Sequence, residues 1–158
     1  MDGCVQVEVY KDMKIEIIKS DSSDLLSIRN IGSFQIVIIL LIVHFSTLST
    51  KSKYIYMDKL YFLFDLSLCN RKTTGMLKFT IPTWKVDKEL KNKLIILIKN
   101  DILIQSESNK KVRYSLSDYG NCIVNKLIEI NEFDDLINMI KANSKISNSD
   151  FEKSKVVL

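Results

Sequence analysis

The sequence predicts a mainly α protein with a small amount of β structure, an α+β fold, from three observations. Glycine and proline are scarce, with four and one in 158 residues, which is more typical of helices than of an all-β sandwich. Apolar residues recur every three to four positions in several stretches, and two shorter stretches alternate between apolar and polar residues. With 46% hydrophobic and 27% charged residues, the chain can bury a core and is not globally disordered.

The first 20 residues have the period-two pattern of strands. Val5, Val7 and Val9 alternate with polar residues, and Met13, Ile15 and Ile17 continue the alternation after Lys11-Asp12. We therefore expect an N-terminal strand pair over residues 1–20, followed by a polar loop.

An unbroken apolar run extends from Ile36 to Val43, with Phe34 and Phe45 just outside it. Its dozen or so residues fall short of the roughly 20 that a membrane-spanning helix needs. A buried core helix that begins near Ser33 is the preferred interpretation, and the many β-branched residues leave a buried strand open.

Two amphipathic helices are predicted over residues 57–69 and over residues 87–99, the second with Asp87 as its N-cap. In the first, an apolar face is formed by Leu60, Leu63, Phe64 and Ser67. In the second, the apolar face is Leu90, Leu94, Leu97 and Ile98. Asn100-Asp101 is expected to end the second helix.

A β-hairpin is predicted next, and further helices follow it. Ile102 and Ile104 are expected to point inward, residues 106–110 to turn, and the inward alternation to resume at residues 112, 114 and 116. Ser117 is the expected N-cap of the following helix and Asn131 that of another, whereas the polar sequence after Ala142 predicts a frayed tail.

The order helix, hairpin, helix over residues 79–120 is typical of a winged-helix domain. We therefore predict three parts: N-terminal strands (1–20), a winged-helix-type domain with flanking helices (21–142), and a polar tail (143–158). Winged helices commonly bind nucleic acid or proteins and rarely catalyse a reaction.

No arrangement of residues points to an enzyme. The single histidine, His44, lies at the end of the apolar run, so no nucleophile–histidine arrangement can be assembled. A glycine-rich phosphate-binding loop is absent, and Asp12-Met13-Lys14 matches a loose nuclease pattern without an acidic partner. The three cysteines are far apart and contain no Cys-x-x-Cys pair, which indicates neither a disulfide framework nor a zinc site. We expect a cytoplasmic protein without catalytic residues, cofactor or metal.

Basic residues are concentrated in the predicted winged-helix unit. Residues 78–117 contain nine basic and four acidic residues, whereas the whole chain has a net charge of +4. A positive region of this kind favours a polyanionic partner, although a solvated lysine-rich surface would give the same pattern. The candidate nucleic-acid-binding residues are Lys88, Lys91, Asn92 and Lys99 on the helix and Lys110, Lys111 and Arg113 on the hairpin. Only Asn92 is suited to reading a base, so sequence specificity should be poor.

Aromatic residues suggest a protein-binding surface as well. Tyrosine and tryptophan are favoured anchors at interfaces, and the candidates are Tyr54, Tyr56, Tyr61 and Trp84. The alternative for each residue is a place in the core.

Three segments resemble the small middle component of three-component ABC anti-phage systems, including those of the Lamassu type. They are residues 54–65 (YIYMDKLYFLFD), residues 81–90 (IPTWKVDKEL), and residues 114–117 (YSLS) with Gly120. The resemblance covers roughly residues 34–130, and its motifs are structural rather than catalytic.

This resemblance implies a non-catalytic subunit of an anti-phage or anti-plasmid defence complex. Its partners would be an ABC ATPase related to SMC and Rad50 proteins and an effector, often a nuclease. The subunit would dock on the ATPase and couple DNA sensing to effector activation, with double-stranded DNA contacted only through its backbone and no membrane involved. The alternative is a stand-alone winged-helix transcription regulator, which would bind an operator, usually as a dimer.

Overall fold

The structure, a computed structural model, describes residues 32–70, 79–80 and 88–156. The strand pair predicted for residues 1–20 and the Asp87 cap lie outside the described residues. The described residues are mostly helical and contain a small antiparallel sheet, which confirms the predicted α+β fold class. The helices are α1 (Gly32–Ser49), α2 (Met57–Leu68), α3 (Lys88–Lys99), α4 (Asp118–Ile128), α5 (Asp134–Asn143) and α6 (Asn148–Ser154), with a 3-10 turn at Asn131–Phe133.

Helix α1 is the centre of the core. Every side chain from Val37 to Val43 is 0–2% exposed, and the helix packs against α2, α4 and α5. Among the described residues it is the one helix whose length and composition would allow it to cross a membrane. Here the rest of the protein covers its apolar middle, so the core-helix interpretation is confirmed and the alternative of a buried strand is wrong.

Three strands form the antiparallel sheet: β1 (Ile55–Tyr56), β3 (Leu103–Ser108) and β4 (Lys111–Leu116). Strand β4 lies in the middle, and Ile55 of β1 is opposite Tyr114 of β4. Both of these side chains are buried, which attaches the sheet to the helical core. A second, two-stranded parallel pairing joins β2 (Phe79–Thr80) to β5 (Lys155–Val156).

The β3–β4 hairpin is longer than the sequence predicts. Ser108 pairs with Lys111, so only Asn109 and Lys110 form the turn, and both have positive φ angles, 51° and 61°. Two successive residues with positive φ are what a tight type I′ hairpin turn requires. The inward position expected for Ile104 is wrong, because this residue is 51% exposed on β3, one of the two edge strands of the sheet.

The junction between the hairpin and α4 follows the predicted capping. The Ser117 Oγ accepts a hydrogen bond from the Gly120 N–H at 2.9 Å, as an N-cap does. Gly120 itself is packed so closely against the connection between α3 and β3 that a Cβ atom would overlap the carbonyl oxygen of Ile102. Glycine is therefore required here for space.

The segment after Ala142 is not a frayed tail. It contains α6, whose Phe151 is 1% exposed and lies 5.6 Å from Phe62 of α2, measured between ring centroids. The sequence interpretation failed because a single aromatic residue in a polar stretch provides no periodicity from which a helix could be predicted.

Candidate nucleic-acid interface

Helix α3 has one buried and one exposed face. Its sequence is rich in lysine and leucine, which favour helices, and Glu89 and Lys93 form an ion pair of 3.6 Å one turn apart. Leu90, Leu94 and Leu97 are all buried, as the periodicity predicts. This packing against the core turns the opposite face to solvent.

The four candidate binding residues of α3 share this outward face. At about 100° per residue, Lys88, Asn92 and Lys99 lie in one narrow stripe along the helix, and Lys91 lies at its side. All four are exposed. Ile95 lies in the middle of the same stripe, as the helix repeat predicts, and is 44% exposed.

The hairpin contributes less free positive charge than the sequence predicts. Lys110 is exposed at the turn, but the Lys111 Nζ lies 2.8 Å from the Glu152 Oε1 of α6 and 5.5 Å from the centroid of the Tyr56 ring. The hydrogen bond from Lys111 to Glu152 raises the pKa of the lysine. The charge of Lys111 is thus balanced by a residue of the same chain.

Arg113 is also packed against its own chain. Its Nε donates a hydrogen bond to the Ser106 Oγ at 2.8 Å, and its guanidinium carbon lies 4.2 Å from the centroid of the Tyr54 ring. Such cation–π stacking holds the side chain along the sheet. Of the three hairpin candidates, only Lys110 therefore projects freely.

The aromatic candidates separate into three environments. Tyr54 and Tyr56 are half-buried neighbours whose ring centroids are 5.3 Å apart. Their mutual hydrogen bond lowers the pKa of Tyr54, with a further contribution from Arg113, and raises the pKa of Tyr56. Tyr61 is buried in the core and is not available at the surface, and Trp84 lies outside the described residues.

The structure also contains a buried lysine that sequence reasoning missed. Lys59 of α2 is 1% exposed, and its Nζ donates hydrogen bonds to the Ile146 carbonyl at 2.6 Å and to the Asn148 Oδ1 at 3.2 Å. Burial lowers the pKa of Lys59 to about 8, and the negative charge of the nearby Asp150 opposes part of this lowering. The Asn148 Nδ2 also donates to the Ser52 Oγ at 3.1 Å. Lys59 thus links α2 to the C-terminal segment.

Residues that could hold a metal ion are not clustered in the part of the chain that the structure describes. No three His, Cys, Asp or Glu residues there are placed to hold a metal ion. His44 is buried, and this desolvation lowers its pKa, opposed by a hydrogen bond with Asn121. Cys69 is a free, exposed thiol.

Comparison of the chain with protein-family models, with curated proteins and with solved structures finds no match.

Proposed function

We propose that this chain is a non-catalytic binding module of the winged-helix type that contacts the backbone of double-stranded DNA. The element order supports the winged-helix assignment: α1, β1, α2, the two-residue strand β2, α3 and then the β3–β4 hairpin. So does the strand order, in which β4 lies between β1 and β3. In such a domain, the helix before the hairpin enters the major groove and the hairpin touches the backbone.

The observation on which the proposal rests is the free positive charge of the outer face of α3. The side chains of Lys88, Lys91 and Lys99 are exposed, and none has an ion pair with another described residue. Lys110 adds a fourth exposed charge at the hairpin turn. Lysines that neutralise phosphates give affinity without base specificity, and no arginine lies on the outer face of α3.

The strength of the salt dependence follows from these four charges. Each phosphate contact contributes about −0.9 to the slope of log K against log salt concentration, so four contacts give a slope of about −3.6. Raising the salt concentration from 50 to 200 mM should then weaken binding about 150-fold. A protein whose lysines only solvate a surface would show no such slope.

Fluorescence anisotropy with a labelled duplex tests the proposal. The variant in which Lys88, Lys91, Lys99 and Lys110 are all changed to Glu should lose binding at 50 mM salt. The matched control changes four exposed lysines of other segments to Glu, namely Lys51, Lys126, Lys141 and Lys145. Equal weakening in both variants would mean that only net charge matters, and the α3 face would then have no specific part in binding.

We also propose that the module acts within a complex, as the resemblance to the middle component of ABC anti-phage systems implies. The half-buried pair Tyr54–Tyr56 supports a protein contact, because tyrosines that are stacked in place lose little entropy on binding. On this proposal the chain is a cytoplasmic subunit that docks on an SMC-like ATPase and couples DNA sensing to an effector.

Co-expression with an SMC-like ATPase encoded in a neighbouring reading frame tests this second proposal. The two proteins should co-purify in moderate salt, and Tyr54→Ala with Tyr56→Ala should weaken the complex. Purification of the chain alone, or a neighbourhood without such an ATPase, would count against it. A chain that is a dimer in solution and binds a defined operator would instead support the stand-alone regulator.

A further inference from the structure

The residues of the stripe on α3 differ in chemical character from its ends to its centre. With a rise of about 1.5 Å per residue, Lys88 and Lys99 lie about 16 Å apart at its two ends. Asn92 and Ile95 lie between them, about 4.5 Å from one another along the axis. Charge is therefore at the ends of the stripe, and an amide and an apolar side chain are at its centre.

This order matches the chemistry of the major groove. The groove is about 12 Å wide, so lysines at the two ends of the stripe can reach phosphates on its opposite sides. The central pair would then face the edges of the bases. The separation of about 4.5 Å between Asn92 and Ile95 is close to the rise of about 3.4 Å between successive base pairs.

The two central side chains have complementary preferences for the two bases of an A·T pair. An asparagine amide pairs with both N6 and N7 of adenine, and apolar side chains contact the C5-methyl group of thymine. Guanine and cytosine offer neither of these patterns. Ile95 is 44% exposed in this structure, so a thymine methyl group placed against it would remove apolar surface from water.

We infer that Asn92 and Ile95 give the module a preference for A·T-rich duplex DNA, read in the major groove. This inference rests on the proposed DNA binding and adds the class of sequence to it. It concerns base composition rather than a defined operator, because only two side chains of the α3 stripe are suited to reading bases.

Modified bases separate this preference from the general attraction of the lysines. Three duplexes of about 16 base pairs are compared by anisotropy: alternating A·T, the same duplex with deoxyuridine in place of thymidine, and alternating G·C. The wild-type chain should bind the A·T duplex about tenfold more tightly than the G·C duplex. Deoxyuridine lacks only the methyl group, and its substitution should weaken binding about three- to fivefold.

Two variants assign the effect to the two side chains. Ile95→Ala should bind the thymidine and deoxyuridine duplexes equally well. The matched control is Ile96→Ala, since Ile96 is also 44% exposed but lies about 100° further around the helix, outside the stripe, and it should keep the wild-type ratio. For Asn92→Ala, replacing adenine by 7-deazaadenine, which lacks the N7 acceptor, should cause no further loss, whereas the wild-type chain should lose several-fold.

The possible failures are distinguishable. Equal wild-type affinity for the thymidine and deoxyuridine duplexes would overturn the inference while leaving backbone binding intact. A loss of the ratio in Ile96→Ala as large as that in Ile95→Ala would also overturn it, because the stripe would then not be the reading surface. Absence of binding to every duplex at 50 mM salt would overturn the proposed function itself.

Discussion

Replacement of Gly120 by alanine tests how tightly the hairpin is joined to α4. The added Cβ would overlap the carbonyl oxygen of Ile102 and lie 3.1 Å from the Leu116 Cδ2. The neighbouring atom is backbone, so it cannot rotate away as the end of a long side chain would. The Ile102 carbonyl also accepts a hydrogen bond from the Ser117 N–H at 3.1 Å. The Ser117 hydroxyl donates chiefly to the neighbouring Asp101 carbonyl and lies 3.2 Å from the Ile102 oxygen.

The expected cost has three parts. Overpacking of a tight site typically costs about 1–3 kcal/mol, and displacement of the Ile102 carbonyl weakens a hydrogen bond worth about 1 kcal/mol. The better helix propensity of alanine returns up to about 1 kcal/mol. We therefore expect Gly120→Ala to lower the free energy of unfolding by about 2–3 kcal/mol.

Urea unfolding followed by circular dichroism measures this cost. With a slope of roughly 2 kcal/mol per molar urea, the midpoint should fall by about 1–1.5 M. The control is Gly32→Ala, where the nearest heavy atom to an added Cβ is the Lys93 Cε at 3.8 Å, an ordinary contact, and its midpoint should not fall. If Gly120→Ala had the same midpoint as the wild type, the packing described for this junction would be incorrect.

Three further expectations concern the C-terminal segment. The pKa of Lys59 is about 8 in the folded chain against 10.5 for an ordinary lysine, so above pH 8 the unfolded state binds more protons. The free energy of unfolding should therefore rise by up to about 1.4 kcal/mol per pH unit between pH 8 and 10. Urea titrations at a series of pH values should show this rise in the wild type and not in Lys59→Met. Phe151→Ala should detach α6 locally, seen as faster amide hydrogen exchange in residues 148–156; if protection there stayed at the wild-type level, the buried ring would not be what attaches the helix. Glu152→Gln should tighten duplex binding about two- to threefold at low salt, because it frees the charge of Lys111, while unchanged affinity would show that Lys111 does not reach the DNA.

The helices on either side of the hairpin were predictable because their signals are local. In α3, the leucines at positions 90, 94 and 97 lie on one face whatever the rest of the chain does, since the helix repeat alone places them together. The Ser117 cap depends only on a backbone N–H three residues away. The exposure of Lys88, Asn92 and Lys99 follows from the same repeat, so the helical half of the candidate interface could be derived from the sequence.

The hairpin half of the interface could not be derived in this way. Lys111 and Glu152 are 41 positions apart, and nothing in the local sequence of either residue indicates the other. The alternation of β3 predicts which side chains share a face, but not that β3 is an edge strand, where Ile104 has no covering neighbour among the described residues. The stacking of Arg113 on Tyr54 likewise depends on the pairing of β1 with β4.

The sequence by itself determined the helices, the hairpin, the cap at Ser117 and the outward lysines of α3, because helix and strand periods and capping act over a few residues. Only the tertiary structure decided which charges remain free. It buried Lys59 against residues about 90 positions away and paired Lys111 with Glu152 of α6. These outcomes depend on contacts between segments that are distant in the sequence. The cost of desolvating a charged side chain and the gain from pairing it are fixed only once the core has assembled, so no local pattern predicts them.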